Sequence, residues 1–286
     1  MSRLPAPVLD HAVVNVKDQL DQASVAYRKL GFALTERGHH SLGSSNHLAI
    51  FGENYLELLG FEHGKSTNRP DIVNAPPGLS GLAFKTDDSL ALHDAIAARG
   101  IAVEPPAEFF RPVQQLPGGA QDARFRTVRL AAELVRNGRT FFCHHFTPQL
   151  VWRDEDRQHP NGVTDIARFV VASPTPHEVA NLYERLFGPG IVERTRDGHY
   201  RLPAGRAQVE FVTPAEAEHR YGALAATQGG SERYVALDLR VKSLDALRTL
   251  FERNGVVFST AADGSLRVAA DEAAGVALRF VEDAAA

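Results

Sequence analysis

The side chains able to do chemistry fall in a few short stretches. His11 lies in the strand-length run Leu-Asp-His-Ala-Val-Val-Asn-Val, and Glu57 lies in Tyr-Leu-Glu-Leu-Leu. Strand alternation sends His11, Val13 and Asn15 to one face and Ala12, Val14 and Val16 to the other, where an apolar helix can cover them. In the second run Leu56 and Leu58 take the covered face, which leaves Glu57 on the uncovered one. A neutral imidazole and a carboxylate are good ligands for a borderline divalent ion. His39 and His40 sit in a Gly/Ser-rich loop that either closes over a ligand or is simply solvated. Asn46 follows, placed to orient a substrate oxygen or to cap a turn, and Asn15 shares the His11 face. Phe-Phe-Cys-His-His-Phe (141–146) supplies His144 and His145, which serve a metal or plain packing. Its Cys143 is a conceivable nucleophile, against the reading of a buried structural thiol. Arg124, Arg126, Arg129, Arg136 and Arg139 meet an anionic group or, with Glu133 among them, form a solvated hairpin face.

The composition removes several function classes. The 286 residues carry 31 Lys plus Arg against 35 Asp plus Glu, a formal charge of −4. That balance lacks the long-range attraction to phosphate on which nucleic-acid and anionic-membrane binders depend. No phosphate-cradling glycine motif is present, so a nucleotide cofactor is not expected. One cysteine rules out an internal disulfide framework and a cysteine-cluster zinc site. No apolar run approaches the ~20 residues that span a bilayer, and no apolar signal core follows Met1 to Pro7. The expectation is a cytoplasmic protein with a small-molecule substrate, no nucleic-acid or membrane partner, and a homodimer left open.

The elements that must position these residues repeat. Leu9 to Val16 is followed by Lys17-Asp18 as a helix cap and by Leu20, Ala23, Tyr27 and Leu30 at helical spacing, closed by Gly31. Strands follow near 46–51 and 55–59. The same order returns at Gly81, Ile166 and Ala236, which align with His11 at separations of 70, 85 and 70 residues. The modules therefore come in pairs. The larger gap falls at Trp152 to Gly162, a charged stretch ending in Pro-Asn-Gly, as a domain linker should. The expected organisation is α+β, four βαβββ modules in two pairs, each pair forming a cupped mixed sheet, with domains at 1–155 and 163–286.

Four such modules, opening on LDHAVVNVKD and reaching YLELLG at the end of the first, resemble the vicinal oxygen chelate superfamily of glyoxalases, bleomycin-resistance proteins and extradiol dioxygenases. Gly38 to Gly60, with His40, Gly43, Ser44 and Asn46, resembles its glyoxalase-like domain branch. The resemblance implies a cleft cupped by each sheet and a divalent metal on residues from the first and last strands of each module. His11 and Glu57 then become neighbouring ligands. Gly81 stands where many relatives place a third ligand, so the set is incomplete. Counting from the turn glycines Gly52 and Gly138 matches Glu57 with Cys143, and alternation adds His145 to that face, with His144 the fallback for a one-residue register error. The second domain offers Ile166, Glu210, Ala236 and Arg279 at the corresponding places and should hold no metal.

The implied function is a metal-dependent lyase, isomerase or dioxygenase acting on a small molecule with vicinal oxygens. The expected site has His11, Glu57 and His145 on the ion (iron, manganese, zinc or nickel), Glu57 and His145 in catalysis, and His40, Asn46 and Asn15 on substrate. The alternative is a metal-free small-molecule binding (sequestration) protein of the same fold.

Overall fold

A computed structural model describes residues 4–65, 67–115, 118–224 and 232–283. The first half runs β1 (Leu9–Lys17), α1 (Leu20–Lys29), β2 (Gly38–His39), β3 (Ser45–Ile50), β4 (Tyr55–Gly60), α2 (Pro70–Val73), β5 (Gly78–Lys85), α3 (Ser89–Ala97), β6 (Ala107–Gln115), β7 (Gly119–Arg129) and β8 (Arg139–His145). The second runs β9 (Val163–Ala172), α4 (Pro176–Phe187), β10 (Glu193–Arg194), β11 (Tyr200–Ala204), β12 (Ala207–Val212), α5 (Pro214–Tyr221), β13 (Arg233–Val241), α6 (Leu244–Asn254), β14 (Ser259–Thr260), β15 (Leu266–Val268) and β16 (Ala277–Glu282).

Each half forms one eight-stranded sheet in the same order, β2-β3-β4-β1-β5-β8-β7-β6 and β10-β11-β12-β9-β13-β16-β15-β14. In each, the first strands of the two modules run antiparallel at the centre, and each first strand pairs in parallel with its module's last strand. This is the α+β arrangement of paired βαβββ modules. In the first sheet the two edges meet: Ser41 N–H donates to the Phe110 carbonyl at 3.0 Å, and Phe110 N–H donates to Ser41 Oγ at 3.2 Å. The cup is thereby drawn almost into a barrel.

Helices cover the convex faces, and the two halves share one apolar core. Leu20, Ala23 and Tyr27 of α1 belong to the same buried cluster as Leu186, Phe187, Leu250 and Phe251 of α4 and α6. Phe84 of β5 meets Phe187 at a centroid distance of 5.2 Å. Thr140 of β8 hydrogen-bonds the hydroxyls of Tyr183 and Tyr234, each at 2.9 Å. The connecting stretch is docked rather than free. His159 Nε2 donates to the Ile50 carbonyl at 2.7 Å, and its Nδ1 accepts from Ala33 N–H.

The second cup is plugged. Ala217 and Tyr221 of α5 pack on Val170, Val235 and Ala277 inside it. Beneath them Glu210 pairs with Arg220 at 2.6 Å, while Arg168 and Arg279 pair with Asp238. The register also corrects the expected alignment. Glu210 stands opposite Val170 as Glu57 stands opposite Val13, so the residue level with His11 is Arg168, not Ile166, which lies in the helix-covered core. Among the described residues no helix is long and apolar enough to cross a membrane.

Candidate functional site

The concave side of the first sheet lines a partly open cavity of about 570 Å³, a volume that includes the part open to solvent. Phe109, Phe125, Phe141, Leu48 and Leu59 give it apolar walls, while His11, His40, Asn46 and Glu57 are grouped on one side. Arg69, Arg111, Arg129 and Arg139 also line it.

His11 reaches this side through a bulge. Between Leu9 and His11 the ladder with β5 slips by one residue. Leu9 and Ala12 both enter the helix-covered core, which leaves Asp10 and His11 together on the concave side. Asp10 Oδ1 is 2.5 Å from His11 Nδ1 and 3.1 Å from His145 Nε2. Burial pushes the Asp10 carboxyl up, but the two histidines outweigh it and hold the group far below the usual carboxylate range. An ionised Asp10 only accepts, so His11 donates to it from Nδ1 and turns Nε2 to the cavity. That Nε2 is 4.0 Å from Glu57 Oε2. The imidazole is held flat on Tyr55, centroids 4.4 Å apart.

Glu57 faces a second imidazole. Its Oε1 is 3.8 Å from His40 Nε2 and accepts from Asn46 Nδ2 at 2.6 Å. The same amide lies 3.3 Å from His40 Nε2, and His40 Nδ1 is 2.9 Å from Ser44 Oγ. Because an amide nitrogen only donates, His40 Nε2 accepts and Nδ1–H donates to Ser44. Burial, reinforced by Arg111 and Arg69, lowers His40 to about 4 in spite of Glu57, so the ring is neutral at pH 7. Burial raises Glu57, yet His40, His11 and Asn46 together hold it below its ordinary value. Two imidazoles, each anchored through Nδ1, thus turn Nε2 toward one carboxylate. This donor set suits a divalent ion. Asn46 Oδ1 is buried without a partner among the described residues.

Rows across the sheet show what the second module contributes. They read Glu57–Val13–Gly81–Arg139 and Tyr55–His11–Ala83–Phe141. Neither Gly81 nor its neighbours replaces the missing ligand. A Cβ on Gly81 would stand 2.7 Å from Val13 Cβ, and Phe141 fills the space beyond. Level with Glu57 is Arg139 rather than the expected Cys143, and level with His11 is Phe141, so His145 lies four residues beyond the His11 row along its strand. It is on the concave face, as alternation requires, but its ring is packed against Trp152 and Phe125 at 4.8 and 5.1 Å and does not line the cavity. The expected trio of His11, Glu57 and His145 is therefore not brought together, because Asp10 stands between the two histidines. His144 turns the other way, to Ser89.

Asn15 is also placed elsewhere. Its amide donates to the carbonyls of Ile72, Ala75 and Pro76 and so ties α2 to β1 outside the cavity. Within the arginine cluster, Arg129 and Arg139 face the cavity, whereas Arg126 pairs with Glu108 outside it. Arg69, Arg129 and Arg139 all converge on Asp71. A further donor group lies at the cavity wall, which Cys143 lines, where ligand atoms of Asp10, Cys143 and His145 are within 4.8 Å of one another. Burial, with Asp10 and Glu57 nearby, raises the Cys143 thiol well above its ordinary value, so it is no ready nucleophile.

No curated protein matches the chain. Among solved structures, a hypothetical protein from Staphylococcus aureus is similar over 96% of this chain and 99% of its own, at 14% identity and a TM-score of 0.66. A mutant of 4-hydroxymandelate synthase from Streptomyces coelicolor is similar over 99% and 94%, at 14% identity and TM-score 0.59. A xylose isomerase-like TIM barrel/4-hydroxyphenylpyruvate dioxygenase fusion protein is similar over 100% of this chain and 51% of its own, at 12% identity and TM-score 0.61. At such identities the likeness establishes the fold. The sequence profile of the glyoxalase-like domain matches residues 9–187, through both modules of the first sheet and on to the end of α4. The chain belongs to the glyoxalase-like domain family.

Proposed function

We propose that the chain is a metal-dependent enzyme acting on a small molecule with adjacent oxygens, with its site in the cavity of the first sheet. His11, Glu57 and His40 hold the ion, His40 taking the place expected of His145. The observation that carries this reading is the shared orientation of the two imidazoles: Asp10 and Ser44 fix both Nδ1 atoms, and both Nε2 atoms face Glu57. Metal-binding histidines usually have their second nitrogen tied in this way. A divalent ion there supplies Lewis acidity to two oxygens of a bound substrate. The chain's own part is to keep the His40 ring neutral, to fix both rings through Nδ1 and to hold Glu57 ionised. It also presents the buried Asn46 Oδ1 to a substrate hydroxyl and excludes water with Phe109, Phe125 and Phe141. Lyase or isomerase chemistry and dioxygenation are the reaction classes such a site serves, the second in keeping with the name of one structural neighbour.

Metal content tests this. In protein treated with chelator and reloaded, His11→Ala, Glu57→Gln and His40→Ala each lose the ion, whereas Cys143→Ala keeps it. Loss in Cys143→Ala alone would move the ion to the Asp10, Cys143 and His145 group. A metal-free binding protein is the second reading, favoured by Phe141 and Gly81 where a complete set has donors. It gains if the reloaded wild type holds no ion.

A further inference from the structure

The arginines of the cavity outnumber its acids, and one of them is unmatched. Arg69, Arg129 and Arg139 share Asp71, whose two oxygens accept from all three. Arg139 Nε remains buried and without a partner among the described residues. Arg111, on the inward face of β6, is 5% exposed. Its guanidinium has no hydrogen-bond acceptor and no carboxylate within 4.0 Å among the described residues. Its stem lies over Gly38, where a Cβ would come within 2.3 Å of Arg111 Cδ and 2.7 Å of Nη1. The chain therefore leaves a slot for this side chain. Burial lowers the Arg111 pKa, although Tyr55 and Glu57 oppose it. Four guanidinium groups thus lie near Glu57, the shared Asp71 and, on the outer side of Arg111, Asp156, and a buried cation without a hydrogen-bonded counter-charge is costly.

We propose that the cavity recognises an organic carboxylate with an apolar, ring-sized body, and that Arg111 is the residue that selects the carboxylate. The planar fork of arginine matches a carboxylate bidentately. Phe109 and Phe125, stacked at 5.1 Å, flank Arg111 on β6 and β7 and provide the surface for the apolar part. Asn46 Oδ1, which a Cβ on Gly38 would approach to 2.5 Å, lies on the same side and accepts from a substrate hydroxyl. This inference rests on the reading of the cavity as the ligand site but does not require the metal.

The test is calorimetric titration of 3-phenylpropanoate and its neutral match 3-phenylpropanamide, in chelator and again with added Mn²⁺. Truncating one side of a buried charged pair costs at least about 2 kcal/mol, so the wild type should bind the carboxylate about 30-fold more tightly than the amide. That preference should persist in chelator. Arg111→Met should bind both probes alike with its thermal midpoint no lower than the wild type's, and Arg111→Lys should recover part of the preference. Equal binding of the two probes, binding of neither, or a preference that survives in Arg111→Met would each overturn the proposal. A preference present only with Mn²⁺ would do so too, by assigning the carboxylate to the ion. The two readings fail separately, since metal content follows His11 and Glu57 while carboxylate preference follows Arg111.

Discussion

Replacing His40 with glutamine should remove a specific part of the acid sensitivity of the metal-free protein. In the folded chain burial lowers this imidazole from its ordinary 6.5 to about 4, whereas the unfolded chain keeps the ordinary value. Between those limits the unfolded state binds a proton that the folded state does not. The stability His40 contributes is therefore complete above 6.5 and is lost as the pH falls toward 4. Each pH unit of that window is worth about 1.4 kcal/mol, so from about pH 7.5 to about pH 4.5 the loss is about 2.5 kcal/mol. Carboxylates remote from His40 titrate alike in both proteins and cancel in the comparison of wild type with His40→Gln, whereas Glu57, which His40 helps to hold down, titrates with it as a pair. Urea unfolding at the two pH values, with chelator present, measures the difference. The wild type should lose about 2.5 kcal/mol more than the variant. Equal losses would mean that His40 is solvated or protonated in the fold, and with it the neutral, ligand-ready imidazole would fall.

Asp10→Asn should lower metal affinity about 10- to 100-fold, read by chelator competition, because the amide no longer fixes His11 through a charged acceptor; unchanged affinity would show that His11 needs no such support. Thr140→Val leaves the Tyr183 and Tyr234 hydroxyls without their shared partner and should cost about 1–3 kcal/mol in a single unfolding transition. Two separated transitions would contradict the common core. Glu210→Gln breaks the buried pairing with Arg220 and should lower the thermal midpoint while leaving metal content unchanged; loss of metal in a folded variant would place the site in the second sheet.

Much of this was legible in periodicity and spacing. Apolar runs and helical repeats mark both sheets' central strands, and the helix stop read at Gly31 corresponds to a real left-handed residue. His11, Glu57, His40 and Asn46 are all in the cavity. What stayed hidden has physical causes. β6 is an edge strand whose Pro112 and polar residues break the apolar pattern, which an edge tolerates, and so Phe109 and Arg111 were missed. Asp10 escaped because strict alternation assigns it to the helix side, and only the bulge turns it inward. His145 was misplaced because the turn glycines do not mark equivalent rows: pairing along β5 makes Phe141 level with His11. The helix expected to be capped at Lys17-Asp18 starts later, after Lys17 enters the left-handed region and Gln19 takes the cap position.

The most direct test of the central claim is an anomalous-difference map from crystals of the full chain grown with Mn²⁺ or Zn²⁺. The account predicts one peak in the first sheet's cavity, about 2.0–2.2 Å from His11 Nε2, a Glu57 oxygen and His40 Nε2. A peak between Asp10, Cys143 and His145, or no peak in the cavity at saturating metal, would contradict it.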